Sequence, residues 1–200
     1  MSALSRSMHA LLLAGALCAG TPWAALAQSA PKPAMHFGRS PTAAEMAGWD
    51  IDVVPNGTGL PVGHGTSADG AKIFAARCAA CHGANAEGVS IPDRGAFPRL
   101  VGGIGTLADD KPVKTVGSYW PYATGVFDYI RRAMPLTAPG SLTSNEVYSL
   151  VAFILSRNGI IPENAVMDEK SLPRVVMPNR NGFFRSAQSE KLARPRPDGN

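Results

Sequence analysis

The stretch Arg77-Cys78-Ala79-Ala80-Cys81-His82-Gly83 constrains this chain more than any other. Two cysteines three residues apart, followed at once by a histidine, admit few chemistries. A disulfide between Cys78 and Cys81 would close a tiny loop and stabilise little. A thioredoxin-type dithiol wants a βαβ context, and no such pattern surrounds it. A zinc site needs four ligands at suitable spacing. Beyond the first 27 residues the only other histidines are His36 and His64, each alone in a Gly- or Pro-rich stretch. In an exported chain, C-x-x-C-H reads as covalent haem attachment. Cys78 and Cys81 would add across the two vinyl groups, and His82 would face the iron.

Export is the expectation for this chain. Residues 1–27 combine a short basic start at Arg6 and His9 with the apolar run Ala10–Gly20 and the small residues Ala25-Leu26-Ala27. That is a secretory leader cleaved after Ala27, too short to span a bilayer. Gly15 stands where a lipobox wants leucine, so Cys18 belongs to the discarded core and is no lipid anchor. The mature chain of about 173 residues suffices for one domain with extensions. Losing Arg6 takes the net charge from +4 to +3. The surplus sits near the end, where Arg180, Arg185, Lys191, Arg194 and Arg196 face only Glu190 and Asp198. Such a run reads as a solvated tail, or else a docking patch. No aromatic-basic cluster points to nucleic acid, and no other apolar run reaches membrane length.

The pattern divides the mature chain into an N-terminal arm (28–66), a central domain (67–160) and an extended tail (161–200). In the arm, Thr42 and Glu45 form a capping box for two helical turns over 42–49. The first long helix runs from about 68 to 80, capped by Ser67 or Asp69, and ends at His82-Gly83. Residues 83–118 carry little periodicity. A loop that long needs something else to organise it, and a haem face would serve. A second helix follows Pro121, with Val126, Phe127 and Ile130 as its apolar stripe and Arg131-Arg132 at its C-terminal end. A third spans 142–159, with the capping box Thr143-x-x-Glu146, the stripe Val147, Leu150, Val151 and Ile154, and Gly159 as its stop. Five prolines from Pro162 onward rule out a further long helix.

A haem iron held by His82 has a second axial position. A thioether there favours Fe(II) and raises the potential, a second histidine lowers it, and an open site admits ligands. The candidates are Met35, Met46, Met134, Met167, Met177, His36 and His64. Met134 ends a helix, is followed by Pro135 and a stiff loop, and lies 52 residues beyond His82, enough chain to cross a haem. It is the expected ligand, against the ordinary role of methionine as core filler.

These residues resemble class I cytochromes c. In that family a glycine and an aromatic on the helix before the motif cross the last helix. Gly70 and Phe74 stand at those positions here, with Leu150 and Phe153 as partners. The resemblance implies an all-α fold, three to five helices around one covalent haem c, with extended arms. "FPRLVGG" also resembles a family loop, which implies that the Pro98 carbonyl orients His82 and Leu100 packs on the ring. Tyr119, Trp120 and Tyr122 can donate to haem propionates, and Arg99, Arg131 or Arg132 can neutralise them. Trp120 is the candidate among the donors, with plain core packing as the alternative.

A narrower likeness rests on "KTVGSYWPYATGVFDYIRRAMPLTAPGSLTSNEVYSLVAFILSRNGIIPE", flanked by "GRSPTAAEMAGWDIDVVPNGTGLPVGHG" and "LPRVVMPNRNGF". Together they resemble the SoxD-type cytochrome c subunit of sulfane or sulfite dehydrogenases, over roughly residues 37–183. That implies a periplasmic electron-transfer subunit beside a molybdenum-cofactor subunit, SoxC-like, with a downstream cytochrome c as acceptor. Some members carry a second C-x-x-C-H; this chain has one, hence one haem. Two other readings share the haem site: a stand-alone electron shuttle, and a haem enzyme with a labile sixth ligand.

Overall fold

The computed structural model describes residues 38–93 and 95–188. Thr42–Asn200 forms one compact unit and Met1–Pro41 another, of which only residues 38–41 are described. The leader, Cys18, Met35, His36, Lys191, Arg194 and Arg196 therefore lie outside the described residues.

Helix α1 (Ala43–Ala47) carries the expected Thr42–Glu45 capping box. Strand β1 (His64–Thr66) leads into α2 (Ser67–Arg77). The cap of α2 is Thr66, whose hydroxyl accepts from the Asp69 amide, one residue before the expected position. A break at Cys78 separates α2 from α3 (Ala79–His82), so the expected single helix is two. The stretch 83–118 is not a bare loop. Strands β2 (Val89–Ile91) and β3 (Gly95–Phe97) pair antiparallel, a 3-10 turn covers Thr106–Ala108, and α4 spans Val116–Tyr119. Strands of three residues are too short to show an alternating pattern. Helix α5 is Ala123–Ala133 and α6 is Ser144–Arg157, the latter with the expected Thr143–Glu146 box. Strand β4 (Val166–Asp168) returns to pair antiparallel with β1, Gly65 opposite Met167. The fold is mainly helical, as expected, with two small ladders added.

The core centres on α6, where every residue from Val147 to Leu155 is buried. The expected stripe covers only one face of it. The other faces are closed by the flanks: Val53 from the arm, and Met167, Leu172 and Met177 from the tail, are all buried in the same cluster. A helix buried all round needs cover on every side, and here the extensions supply it.

Helix α2 crosses α6 at Gly70. A Cβ there would run into the Ser149 carbonyl oxygen, and would sit 2.6 Å from its carbon and 2.8 Å from Phe153 Cβ. Beside this contact the Phe74 and Phe153 rings lie 5.0 Å apart. The glycine and aromatic pattern thus has its physical cause in two backbones in contact. Gly65 makes a second such approach, where a Cβ would sit 2.6 Å from Ser149 Cα, which the sequence reading missed.

Asn158, at the end of α6, ties that helix end to the loop at 100–102. Its Nδ2 donates to the carbonyls of Leu100 (3.1 Å) and Ile154 (2.8 Å), and its Oδ1 accepts from the Gly102 amide (3.0 Å). Asn158→Ala removes all three and orphans partly buried groups. We expect a loss of about 2–3 kcal/mol, read as a lower urea midpoint. An unchanged midpoint would show the network to be dispensable.

Candidate functional site

The break after α2 sets the geometry of the motif. Cys78 leaves helical dihedrals at φ −123°, yet its amide still donates to Phe74. Its carbonyl then accepts from the amides of Cys81 (3.1 Å) and His82 (2.9 Å). One turn therefore carries Cys78, Cys81 and His82. Both thiols are free and half-buried. Burial pushes the Cys78 thiol up to about 11, outweighing the opposing pull of the Arg77 charge. Such surroundings disfavour a thiolate and suit a thioether, which cannot ionise.

The β2–β3 hairpin brings Pro98 back over this turn. His82 Nδ1 lies 2.9 Å from the Pro98 carbonyl oxygen. A carbonyl only accepts, so the proton sits on Nδ1 and the Nε2 lone pair is left for a metal. The loop is closed by its own backbone, Gly88 N–H to His82 (2.7 Å) and Leu100 N–H to Ala86 (2.8 Å). Gly83 turns the chain at φ 82°, a conformation that side chains rarely adopt.

Leu100, Trp120 and Met134 pack against the core while remaining half-buried, as does Cys78. Met134 terminates α5: its amide donates to Ile130 (3.1 Å), its own backbone is extended, and Pro135 follows. The other described candidates are placed differently. Met167 and Met177 are 5% and 1% exposed within the core, Met46 lies on the exposed α1, and the exposed His64 sits opposite Asp168 in the β1–β4 ladder.

The groups expected to meet haem propionates have other partners. The Tyr119 ring meets Phe183 edge-on at 5.1 Å, and Arg180 lies 4.7 Å above Tyr122. Arg99 Nε reaches the Glu87 carbonyl at 3.4 Å. Arg131 Nη1 donates to the Ile51 carbonyl (3.3 Å), and Arg132 pairs with Asp128 and Asp52. The tail supplies Phe183 and Arg180 and the arm Ile51 and Asp52, and nothing in the local sequence marks these four. Trp120 packs edge-on against Tyr129 at 5.7 Å.

One residue was overlooked. Arg77, next to Cys78, donates to Ser141 Oγ (2.6 Å) and lies 3.8 Å from Glu146. It joins the cysteine turn to the loop that follows Met134. Its signal was its neighbourhood alone, since an arginine at a helix C-terminus is ordinary.

Two unbridged thiols on one turn, an imidazole with Nε2 available and a half-buried apolar surround form a donor set that fits a covalent haem. Among the described residues no group of three or more His, Cys, Asp or Glu could hold a metal ion, so a zinc site finds no further ligands around the cysteines. No helix among them is long and apolar enough to cross a membrane.

The cytochrome c family model matches residues 67–158. The crystal structure of the sulfane dehydrogenase SoxCD from Paracoccus pantotrophus contains a chain 38% identical to this one, with a TM-score of 0.71, covering 80% of this chain and 76% of that one. A thiosulfate dehydrogenase (TsdBA) from Marichromatium purpuratum matches at 23% identity over 50% of this chain and 23% of that one, with a TM-score of 0.34. No curated protein sequence matches. The family match falls on the helices that bracket Cys78, Cys81 and His82, and the 38% identity is sustained over four-fifths of the chain. The chain therefore belongs to the cytochrome c family, with the class I fold and a covalent haem c as its cofactor.

Proposed function

We propose that this chain is a periplasmic monohaem cytochrome c. It would accept electrons one at a time from a molybdenum-containing sulfane or sulfite dehydrogenase subunit and pass them to a downstream cytochrome. The observation that carries this reading is the extent of the likeness to the sulfane dehydrogenase SoxCD. At 80% of the chain it reaches well beyond residues 67–158 into the flanks, which a generic cytochrome has no reason to share.

Each residue then has one task. Cys78 and Cys81 tether the haem through thioethers. His82 binds iron through Nε2, with Pro98 holding the ring in that tautomer. Met134 supplies the second axial ligand, Leu100 covers the ring and Trp120 reaches a propionate. Bound haem supplies reversible one-electron chemistry; the polypeptide keeps the ligands in place in both oxidation states. Residues 1–27 act as the export leader, 67–160 as the haem domain, and the arm and tail as the contact to the dehydrogenase subunit. Trp49, Val62, Val176 and Phe184 are 84%, 87%, 76% and 92% exposed along those flanks, a supply of apolar surface suited to a lasting interface.

The test is purification of the matured protein from its host, followed by metal analysis and addition of sulfite or thiosulfate. Co-purifying molybdenum and substrate-dependent haem reduction are expected. A monomer free of molybdenum and unreduced by either compound would favour the stand-alone shuttle. Met134→Ala should lower the potential on the order of 0.2 V and open the iron to added imidazole. An unchanged potential would return the haem-enzyme reading.

A further inference from the structure

The last turns of α5 lead directly into Met134, and they are gripped from outside by the arm. Asp128 Oδ1 accepts the Val53 amide at 3.1 Å and the Arg132 Nε at 3.0 Å. Arg132 extends to Asp52 at 3.5 Å, and Arg131 donates to the Ile51 carbonyl at 3.3 Å. Three successive arm residues thus meet three residues of α5, and the last of those lies two positions before Met134. Val53 is buried in the core cluster, so the arm is anchored where it grips. The Asp128 side chain is only 13% exposed, whereas Asp52 is 70% exposed. The contact with Asp128 therefore matters most, and the outer pair is a weak surface ion pair.

A groove of about 620 Å³ opens beside this grip, between Ile51, Arg131 and Arg132 on one side and Gly140, Leu142 and Thr143 of the loop after Met134 on the other, so arm and loop do not close on each other there. Helix ends without packing fray first. Beyond its own packing against the core, Met134 is thus held through α5 by the arm and, at the far end of its loop, by the Arg77–Ser141 bond.

We propose that residues 51–53 are a clasp that holds the end of α5, and that Asp128 is the positioning residue through which the arm fixes Met134 at the iron. The inference rests on the reading of Met134 as axial ligand. The clasp slows the excursions in which the sulfur leaves the metal. It leaves the Cys78–His82 side untouched.

The test uses the full-length holoprotein in its ferric state. The readouts are the rate at which imidazole displaces the sulfur ligand and the weak red-edge absorption of sulfur-ligated ferric haem. Asp128→Ala should accelerate displacement about tenfold. Asp128→Asn keeps an acceptor for the Val53 amide and should give a smaller acceleration; it also serves if the alanine variant fails to fold. Tyr148→Phe removes the hydroxyl that donates to Pro61 at 2.9 Å. It weakens the arm away from α5 and should leave displacement at the wild-type rate. Wild-type displacement in both Asp128 variants, or equal acceleration in Tyr148→Phe, would overturn the clasp. Met134→Ala separates the underlying reading: if the sulfur absorption survives in that variant, the ligand assignment is what fails.

Discussion

Gly70→Ala should cost about 3–5 kcal/mol of stability, a large share of the ~5–15 kcal/mol that holds a domain of this size. The new methyl would run into the Ser149 carbonyl and press on Phe153 Cβ at 2.8 Å. Neither neighbour can yield cheaply, since one is helix backbone and the other the methylene that ties a packed ring to it. Relief requires α2 and α6 to part. That opens the Phe74–Phe153 contact at 5.0 Å and the second approach at Gly65. The gain in helix propensity, about 1 kcal/mol for alanine over glycine, offsets only part of this. Urea unfolding of the holoprotein measures it. A loss below about 1 kcal/mol would mean that the two helices separate easily and that their crossing does not organise the domain.

Replacing both Cys78 and Cys81 by alanine should abolish covalent haem. After denaturation the variant should have the mass of the bare polypeptide, and any colour should pass into acidified organic solvent. Each single alanine variant should retain one thioether and a lower yield. The geometry makes the effect complete: no other cysteine lies among the described residues, and the two thiols share one turn. A double variant that kept the added mass of a haem through denaturation would refute the attachment. His82 would be untouched in that variant, so reversible binding through its Nε2 should persist weakly, which separates tethering from ligation.

Much of the helical frame could be read from sequence, because its signals are local. The Thr143–Glu146 box and the stripe from Val147 onward placed α6 to within two residues. The arginines at the end of α5 were read correctly as helix-terminal. Asp128, a partner of Arg132, lies one turn away on the same helix, but Ile51 and Asp52 lie about 80 residues away in the sequence, and no periodicity links them. The tail was harder for the same reason. Met167, Leu172 and Met177 each send one side chain into the core, from a three-residue strand, a 3-10 turn and a loop in succession, so there was no stripe to see. This makes deletion of 161–188 a poor probe of partner binding, since it would strip buried side chains from the core. Substituting exposed Val176 or Phe184 is the cleaner choice. At the site, the attachment motif was legible because its chemistry demands a fixed spacing. The Pro98 carbonyl at His82 was implied only by family likeness, and Arg77 and Asn158 were missed because their bonds are long-range.

The β1–β4 ladder joins residues about one hundred positions apart, Thr66 to Val166. A chain that emerges N-terminus first presents Cys78 and Cys81 well before that partner strand arrives. Until it does, β1 offers an open edge and α6 an uncovered apolar flank, the kind of surface on which nascent chains associate. Closure of this ladder is thus a late, slow event by virtue of its sequence separation, and nascent chains are most vulnerable to aggregation in the interval before it.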